Sequence, residues 1–242
     1  MVVLSGQHTN GTLAPAKENG LPEPAPLDAS KLQIQRAKDL KPVPEPSTLV
    51  FGAAKTDHML IVEYDPASGW GTPLIKPYEA LQLDPASHCL HYSTNLFEGM
   101  KLNMTRMTRS AERLALPSFD PGALLALIKQ LVLVEKRWIP TEPGYSLYIR
   151  PTLIGTRPAM GVVASSHATL FTIVSPTGPF FKEDDPARPV KPVSLYASYD
   201  HVRAWPGGTG AFKLGGNYAP CFMPQVLAAK EGYQQILWLL ED

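Results

Sequence analysis

The sequence predicts an α+β fold of two domains, a sheet-and-helix domain followed by a shorter second domain. Three observations support this prediction. Short β-rich segments recur along the chain, apolar residues recur at helical spacing in others, and a proline- and charge-rich stretch follows residue 176. We therefore expect an N-terminal domain at 49–176, an interdomain linker at 177–192 and a second domain at 193–242, after a tail at 1–48.

The tail at 1–48 is predicted to be disordered. From His8 to about Pro46 the chain is rich in Pro, Ala, Gly and Thr and has few large apolar residues. Such a stretch cannot bury enough surface to offset the entropy lost on ordering. Within it, only Leu32–Leu40 favours a short helix.

Strands are predicted from β-rich runs that end at turn residues. In the first domain, Leu49–Phe51 and Met59–Tyr64 are β-rich, and the turn Asp65–Gly69 ends the second run. Later runs separated by Gly and Pro predict strands at Tyr145–Arg150, Ala168–Ser175, Val193–Ala197 and Gln235–Leu240.

Three helices are predicted from spacing and from end signals. Apolar residues at helical spacing predict a helix over Asn103–Leu116. The second helix has Asp120 as its N-cap and should run from Pro121 to about Lys136. The third, from about Asn217 to Glu231, contains Pro224, which should bend it.

The composition favours a small-molecule partner. The chain has 242 residues, and its 22 basic and 22 acidic side chains cancel. No excess of charge indicates nucleic acid or an acidic membrane surface, and no apolar run approaches the roughly 20 residues that cross a bilayer. We therefore expect neither nucleic acid nor a membrane as a partner.

The cysteines and the first residues indicate a cytoplasmic protein. Cys89 and Cys221 are far apart, which predicts neither a metal ligand set nor a disulfide framework and fits a reducing compartment. Residues 1–5 lack the basic start and long apolar core of a secretory signal. A mitochondrial transit peptide is less well supported, because no arginine precedes Arg36.

Lys213 lies in the most distinctive run of the chain, 207–218, with glycine pairs on both sides of it. A P-loop requires Ser or Thr after the lysine, but Leu214 follows it. A dinucleotide fingerprint begins at Gly208-x-Gly210 but has Lys213 at its third glycine position. The remaining interpretations are a cation that contacts phosphate, an amine that forms a Schiff base with a carbonyl cofactor, or a solvent-exposed lysine in a flexible loop.

Five motifs carry a family resemblance. They are HYSTNLFEGMK (91–101), LNMTRM (102–107), SLYIRP (146–151), VRAWPGGTG (202–210) and KLGGNYAP (213–220). In this order, over about 49–239, the chain closely resembles the branched-chain amino acid aminotransferases, which are fold-type IV pyridoxal phosphate enzymes. The resemblance implies transamination of leucine, isoleucine and valine with 2-oxoglutarate in branched-chain amino acid metabolism.

The resemblance assigns the residues that bind pyridoxal 5'-phosphate. It makes Lys213 the Schiff-base lysine, which also carries the Cα proton during transamination. Tyr218 matches the tyrosine that bonds the phenolic oxygen of the cofactor, and Arg106 matches the arginine at its phosphate. Arg203 is expected to be a second cation near the cofactor.

The substrate pocket implied by the resemblance binds an amino acid or a 2-oxo acid between apolar walls. Within one subunit it should contain Phe51, Phe97, Tyr148 and Arg150. Tyr148 and Arg150 alternate on one strand and should therefore face the same side. From a second subunit the pocket should receive Tyr92, Met160 and Val162, which implies a homodimer.

The chain departs from the family pattern in two places. Family members carry about fifteen more residues, a hairpin, where Lys101 here runs directly into Leu102. They also continue with a Glu-Val-Gly-Thr segment whose glutamate pairs with the pyridine nitrogen. We therefore expect a truncated cofactor-binding C-terminal domain, a strand at 236–240 without neighbours, and a polypeptide that is unstable and poorly active alone.

Two alternatives remain at this point. One is a non-catalytic homologue or fragment that acts only through the dimer interface. The other is a different fold-type IV enzyme, such as a D-amino acid aminotransferase or an aminodeoxychorismate lyase. The wording of the HYSTNLFEGMK motif and the long tail argue against this second alternative.

Overall fold

The computed structural model describes residues 23–99, 103–179 and 192–240. The nine strands described are β1 (Gln33–Ile34), β2 (His58–Asp65), β3 (Gly69–Trp70), β4 (Leu74–Pro77), β5 (Asn95–Phe97), β6 (Ser146–Gly155), β7 (Ala168–Thr177), β8 (Leu195–Ser198) and β9 (Gln235–Trp238). The four α-helices described are α1 (His88–Tyr92), α2 (Met104–Arg113), α3 (Pro121–Val134) and α4 (Phe222–Lys230).

Most of the strands form one sheet in the order β1-β4-β2-β7-β6-β5, with β3 beside β2. Strands β6 and β7 are antiparallel and pair along all ten residues, from Ser146 opposite Thr177 to Gly155 opposite Ala168. A separate pair, β8 and β9, is parallel. The predicted α+β fold is confirmed.

Helix α3 supplies much of the core. Its apolar residues Leu124, Leu127 and Leu131 are fully buried, as the apolar stripe of a helix packed on a sheet should be. Asp120 caps the helix by accepting a hydrogen bond from the Gly122 N–H at 2.8 Å, and Pro121 occupies its first turn. The predicted start of this helix is therefore confirmed.

The prediction of a disordered tail is wrong for the part that the structure describes, from residue 23 onward. Leu27 is buried in the core, Ala25 bridges Gly69, and β1 pairs in parallel with β4. Composition misled here because this segment is stabilised by backbone pairing with sheet edges and by a single buried leucine. The helix predicted at 32–40 is likewise wrong, since its first residues form β1.

The segment at 46–51 also differs from its prediction. A strand is predicted at Leu49–Phe51, but Pro46–Thr48 forms a 3-10 turn and the Leu49 N–H bonds the Pro46 carbonyl. Proline fixes its own φ and favours such a turn start. Leu49 is nevertheless buried, whereas Phe51 is exposed.

The second domain is more regular than expected. Helix α4 contains Pro224 in its first turn, where the missing N–H removes no helical hydrogen bond, so the predicted bend inside a longer helix is not observed. The strand predicted to lack neighbours does have one, because β9 pairs with β8. Of the predicted linker at 177–192, positions 180–191 lie outside the described residues, and the linker stays a prediction.

Within the described ranges, none of the helices has the length and apolar character needed to span a bilayer.

Candidate active site

The backbone around Lys213 is attached to the edge strand β5. The Phe97 N–H donates to the Lys213 carbonyl at 3.3 Å, and Leu96 bridges the buried Leu214. On the other side, the Lys213 N–H donates to the Ser110 hydroxyl of α2 at 3.1 Å. The lysine is therefore located between the main sheet and α2.

The glycine-rich run is a structured turn and not a flexible loop. The Asn217 amide donates to the carbonyls of Thr209 and Phe212, both at 2.9 Å, and the Thr209 hydroxyl donates to the Asn217 amide oxygen at 2.6 Å. At Gly215, a Cβ atom would lie 1.7 Å from the side-chain oxygen of Asn95. This glycine is thus required by the close approach of β5.

The side chain of Lys213 points toward aromatic residues. Its Nζ donates to the Tyr218 hydroxyl at 2.8 Å and lies 4.4 Å from the centre of the Phe97 ring. The rings of Phe97 and Tyr218 are themselves 5.1 Å apart, and the Arg203 guanidinium lies 5.7 Å from the Tyr218 ring. The structure therefore brings together Lys213, Tyr218 and Arg203, as predicted.

Arg106 joins this cluster through an ion pair that sequence reasoning missed. Its Nη2 donates to Glu98 Oε2 at 3.0 Å and its Nε donates to the other carboxylate oxygen. The Glu98 side chain is fully buried. The hydrogen bond to Glu98 is the main cause that raises the pKa of Arg106, against burial, and the charge of Tyr218 contributes weakly in the same direction. A buried charge at the end of the apolar strand β5 was the available signal.

Four predicted pocket residues also lie together. Phe51 and Tyr148 are in edge-to-face contact at 4.8 Å between ring centres. Arg150 donates through Nε and Nη2 to the Tyr148 hydroxyl at 3.1 and 3.0 Å, and its guanidinium lies 4.5 Å from the Phe97 ring. A cavity of about 250 Å³ is lined in part by Phe51, Tyr148 and Arg150.

The three residues expected from a second subunit form a group of their own. The Tyr92 hydroxyl accepts a hydrogen bond at 2.9 Å from the Gly161 N–H, between Met160 and Val162. Met160 is 71% exposed and Val162 is 92% exposed. The contacts described for these residues join them to one another and not to the Lys213 cluster of the same chain.

A larger cavity, of about 490 Å³, lies between α3 and β6 and contains none of the predicted site residues. It is lined almost entirely by aliphatic side chains, with Lys129 as its one charged residue. Because a reaction needs groups that can exchange protons or bind charge, we place the candidate active site at Lys213 and not in this cavity.

The charge of the site is predominantly positive. Arg106, Arg150, Arg203 and Lys213 surround it, and Glu98 neutralises one of them. Such a site suits a ligand with phosphate and carboxylate groups. Among the described residues, no group of three or more His, Cys, Asp or Glu could hold a metal ion.

Comparison with known proteins gives a consistent family. The chain matches no family model. It is 47% identical over 234 residues to a mitochondrial branched-chain-amino-acid aminotransferase of Schizosaccharomyces pombe, covering 90% of this chain and 54% of that protein. It is 49% identical over 231 residues to the cytosolic enzyme of Saccharomyces cerevisiae (89% and 60%) and 47% over 248 residues to that of Mus musculus (96% and 63%).

The chain thus spans between about half and two thirds of the length of these relatives. The alignment with the S. pombe protein has 234 positions, whereas 90% of 242 residues is about 218. The difference of about 16 positions agrees with the predicted absence of about fifteen internal residues.

Solved structures show the same fold. A thermophile (T.th.) branched-chain amino acid aminotransferase with pyridoxamine 5'-phosphate superimposes with a TM-score of 0.55 at 24% identity, covering 75% of this chain and 59% of that chain. The Escherichia coli branched-chain amino acid aminotransferase gives 0.53 at 22% identity, covering 75% and 58%.

Proposed function

Since the chain belongs to the branched-chain-amino-acid aminotransferase family, of whose members it spans half to two thirds, we propose that it catalyses transamination of leucine, isoleucine or valine with 2-oxoglutarate. We propose pyridoxal 5'-phosphate as its cofactor. The observation that carries this proposal is the Lys213 amine, held 2.8 Å from the Tyr218 hydroxyl in a site rich in cations.

The residues present fit the cofactor. Lys213 offers the amine for covalent attachment, and Tyr218 offers a hydroxyl for the phenolic oxygen. Arg106 bonds Glu98 through Nε and Nη2, and its Nη1 carries further N–H donors for the phosphate. Arg203, next to the Tyr218 ring, adds a second positive charge to the same region.

When bound, the cofactor supplies the carbonyl that carries the amino group and the conjugated ring that accepts electrons from the substrate Cα. The protein performs the remaining tasks. Lys213 is the base that removes the Cα proton and later returns a proton, and Tyr218 holds its amine. The Phe97 ring, 4.4 Å from this amine, limits the access of water.

The substrate is proposed to bind between Phe51, Phe97 and Tyr148, with Arg150 near its carboxylate. A branched aliphatic side chain gains about 0.8 kcal/mol for each CH₂ buried against such walls. The overall exchange needs no external oxidant, because one substrate gives up the amino group and hydrogen that the other exchanges for its carbonyl oxygen.

We further propose a homodimer in which Tyr92, Met160 and Val162 enter the site of the partner subunit. The high exposure of Met160 and Val162 supports this, since single apolar residues exposed on one loop suit an interface. We place the protein in the cytoplasm, as for the relatives of yeast and mouse that are named cytosolic.

Reductive trapping tests the proposal. The chain is incubated with pyridoxal 5'-phosphate, reduced with borohydride and mapped by mass spectrometry, and leucine transamination is assayed in parallel. The adduct should be found on Lys213, and Lys213→Ala should lose both adduct and activity, whereas the exposed Lys129→Ala should keep both. Trapping at Lys213 without any turnover would favour the non-catalytic homologue, and an adduct elsewhere would refute the proposal.

A further inference from the structure

We infer that Glu98 is the positioning residue for the cofactor phosphate, because it holds the Arg106 guanidinium in a fixed orientation beside the site. This inference rests on the proposed function. It concerns a residue that touches neither substrate nor cofactor and acts only through Arg106.

The carboxylate of Glu98 is itself rigidly held. The Glu98 N–H donates to the Pro151 carbonyl at 2.9 Å, which continues the pairing of β5 with β6. The Gly99 N–H donates to Glu98 Oε2 at 3.1 Å. Since the side chain has no exposed surface, the carboxylate has one available position, at the end of a strand of the main sheet.

Arg106 needs such a partner. Its side chain is 44% exposed, and an arginine with that freedom samples many rotamers. Two parallel hydrogen bonds to Glu98 select one of them and fix the plane of the guanidinium. The weak interaction between Arg106 and Tyr218 places this guanidinium on the side of Lys213.

The charge of Glu98 alone would have the opposite effect on an anion. A carboxylate near the phosphate repels it, so removing this charge would tighten phosphate binding if electrostatics dominated. Arg106 is largely solvated, where salt and water screen that repulsion. Loss of the fixed orientation should therefore dominate, and the two roles of Glu98 predict opposite signs.

Matched titrations separate these roles. Pyridoxal 5'-phosphate and pyridoxal, which lacks the phosphate, are titrated into the unmodified chain, Glu98→Gln and Glu112→Gln, and adduct formation is followed by absorbance. Glu112 is an exposed glutamate on the same helix, α2. We expect Glu98→Gln to weaken binding of the phosphorylated form about tenfold, with pyridoxal binding unchanged and Glu112→Gln indistinguishable from the unmodified chain.

A double-mutant cycle completes the test. In an Arg106→Gln background, Glu98→Gln should have no further effect on pyridoxal 5'-phosphate affinity. Equal or tighter binding of the phosphate form by Glu98→Gln, an equal loss for both ligands, or full additivity with Arg106→Gln would each overturn the inference. If the unmodified chain forms no adduct with either ligand, the proposed function itself fails, and this inference fails with it.

Discussion

The backbone N–H of Lys213 donates a hydrogen bond to the hydroxyl of Ser110 at 3.1 Å, and Ser110 is fully buried on α2. Ser110 follows Arg106 by four residues, and residues at this spacing lie on the same face of a helix. One face of α2 therefore contacts the proposed catalytic lysine and also carries the arginine proposed to bind the phosphate. The relative placement of these two cations depends on how α2 packs against the sheet.

Replacing Ser110 with alanine tests this arrangement. The Lys213 N–H would lose its acceptor in a buried position, which costs about 1–3 kcal/mol, reduced slightly because alanine favours the helix. We expect a lower unfolding free energy in urea and less adduct at Lys213 for a given concentration of pyridoxal 5'-phosphate. Ser118→Ala, at an exposed serine, is the control. Unchanged adduct formation in Ser110→Ala would show that the hydrogen bond does not position the lysine.

Tyr218→Phe isolates the hydroxyl that contacts Lys213. The ring remains in contact with Phe97, but the 2.8 Å hydrogen bond from Nζ is lost. A hydrogen bond of this kind contributes about 0.5–1.5 kcal/mol, so the affinity for pyridoxal 5'-phosphate should fall about two- to tenfold. Absorbance titration measures it. Tyr196→Phe, whose ring packs on Tyr233, should bind as the unmodified chain does.

Asp57 should make stability depend on pH in acid. Burial acts to raise the pKa of this carboxyl, but hydrogen bonds from the Lys41 N–H at 2.8 Å, from Trp138 Nε1 at 2.9 Å and from Arg137 outweigh it and hold the pKa below its usual range. A lowered folded-state pKa gives stability that is complete above the unfolded value, about 3.9, and is lost as the pH falls through the folded value.

Urea unfolding of Asp57→Asn across pH checks this. At pH 7 the substitution should lower the unfolding free energy by roughly 3–5 kcal/mol, because it breaks a buried ion pair. The difference from the unmodified chain should shrink as the pH falls below about 4. Asp39→Asn, at an exposed position in the same region of the chain, should show neither effect. A difference that stays constant with pH would contradict the role of the Asp57 charge.

Gly69→Ala tests the ordered N-terminal segment. Gly69 has φ of 82°, and a Cβ atom there would lie 2.1 Å from the Ala25 nitrogen, so the segment that begins at residue 23 would have to move. We expect faster proteolysis before β1 and a lower melting temperature. Gly52→Ala is the matched control, since Gly52 has φ of 70° but open space around its Cα. Both variants incur the backbone cost of about 1–2 kcal/mol, and only Gly69→Ala should release the segment.

Much of the fold followed from local patterns. Asp120 and Pro121 located the start of α3, and the β-rich runs located β2, β6 and β7, because capping and strand propensity are local properties. The segments that failed, at 32–40 and 46–51, are short and depend on partners distant in sequence. Their conformation is decided by sheet edges and turns that no window of the sequence contains.

For the site, the sequence by itself determined the chemistry of the residues and the family to which they point. The five ordered motifs indicated Lys213 and Tyr218, and the glycines around Lys213 indicated a close backbone approach. Only the tertiary structure decided the environment of these groups: the attachment of the lysine to β5 and α2, and the pairing of Arg106 with the buried Glu98. The reason is physical, because a hydrogen bond or an ion pair between distant residues depends on their separation in space, which the folded sheet sets.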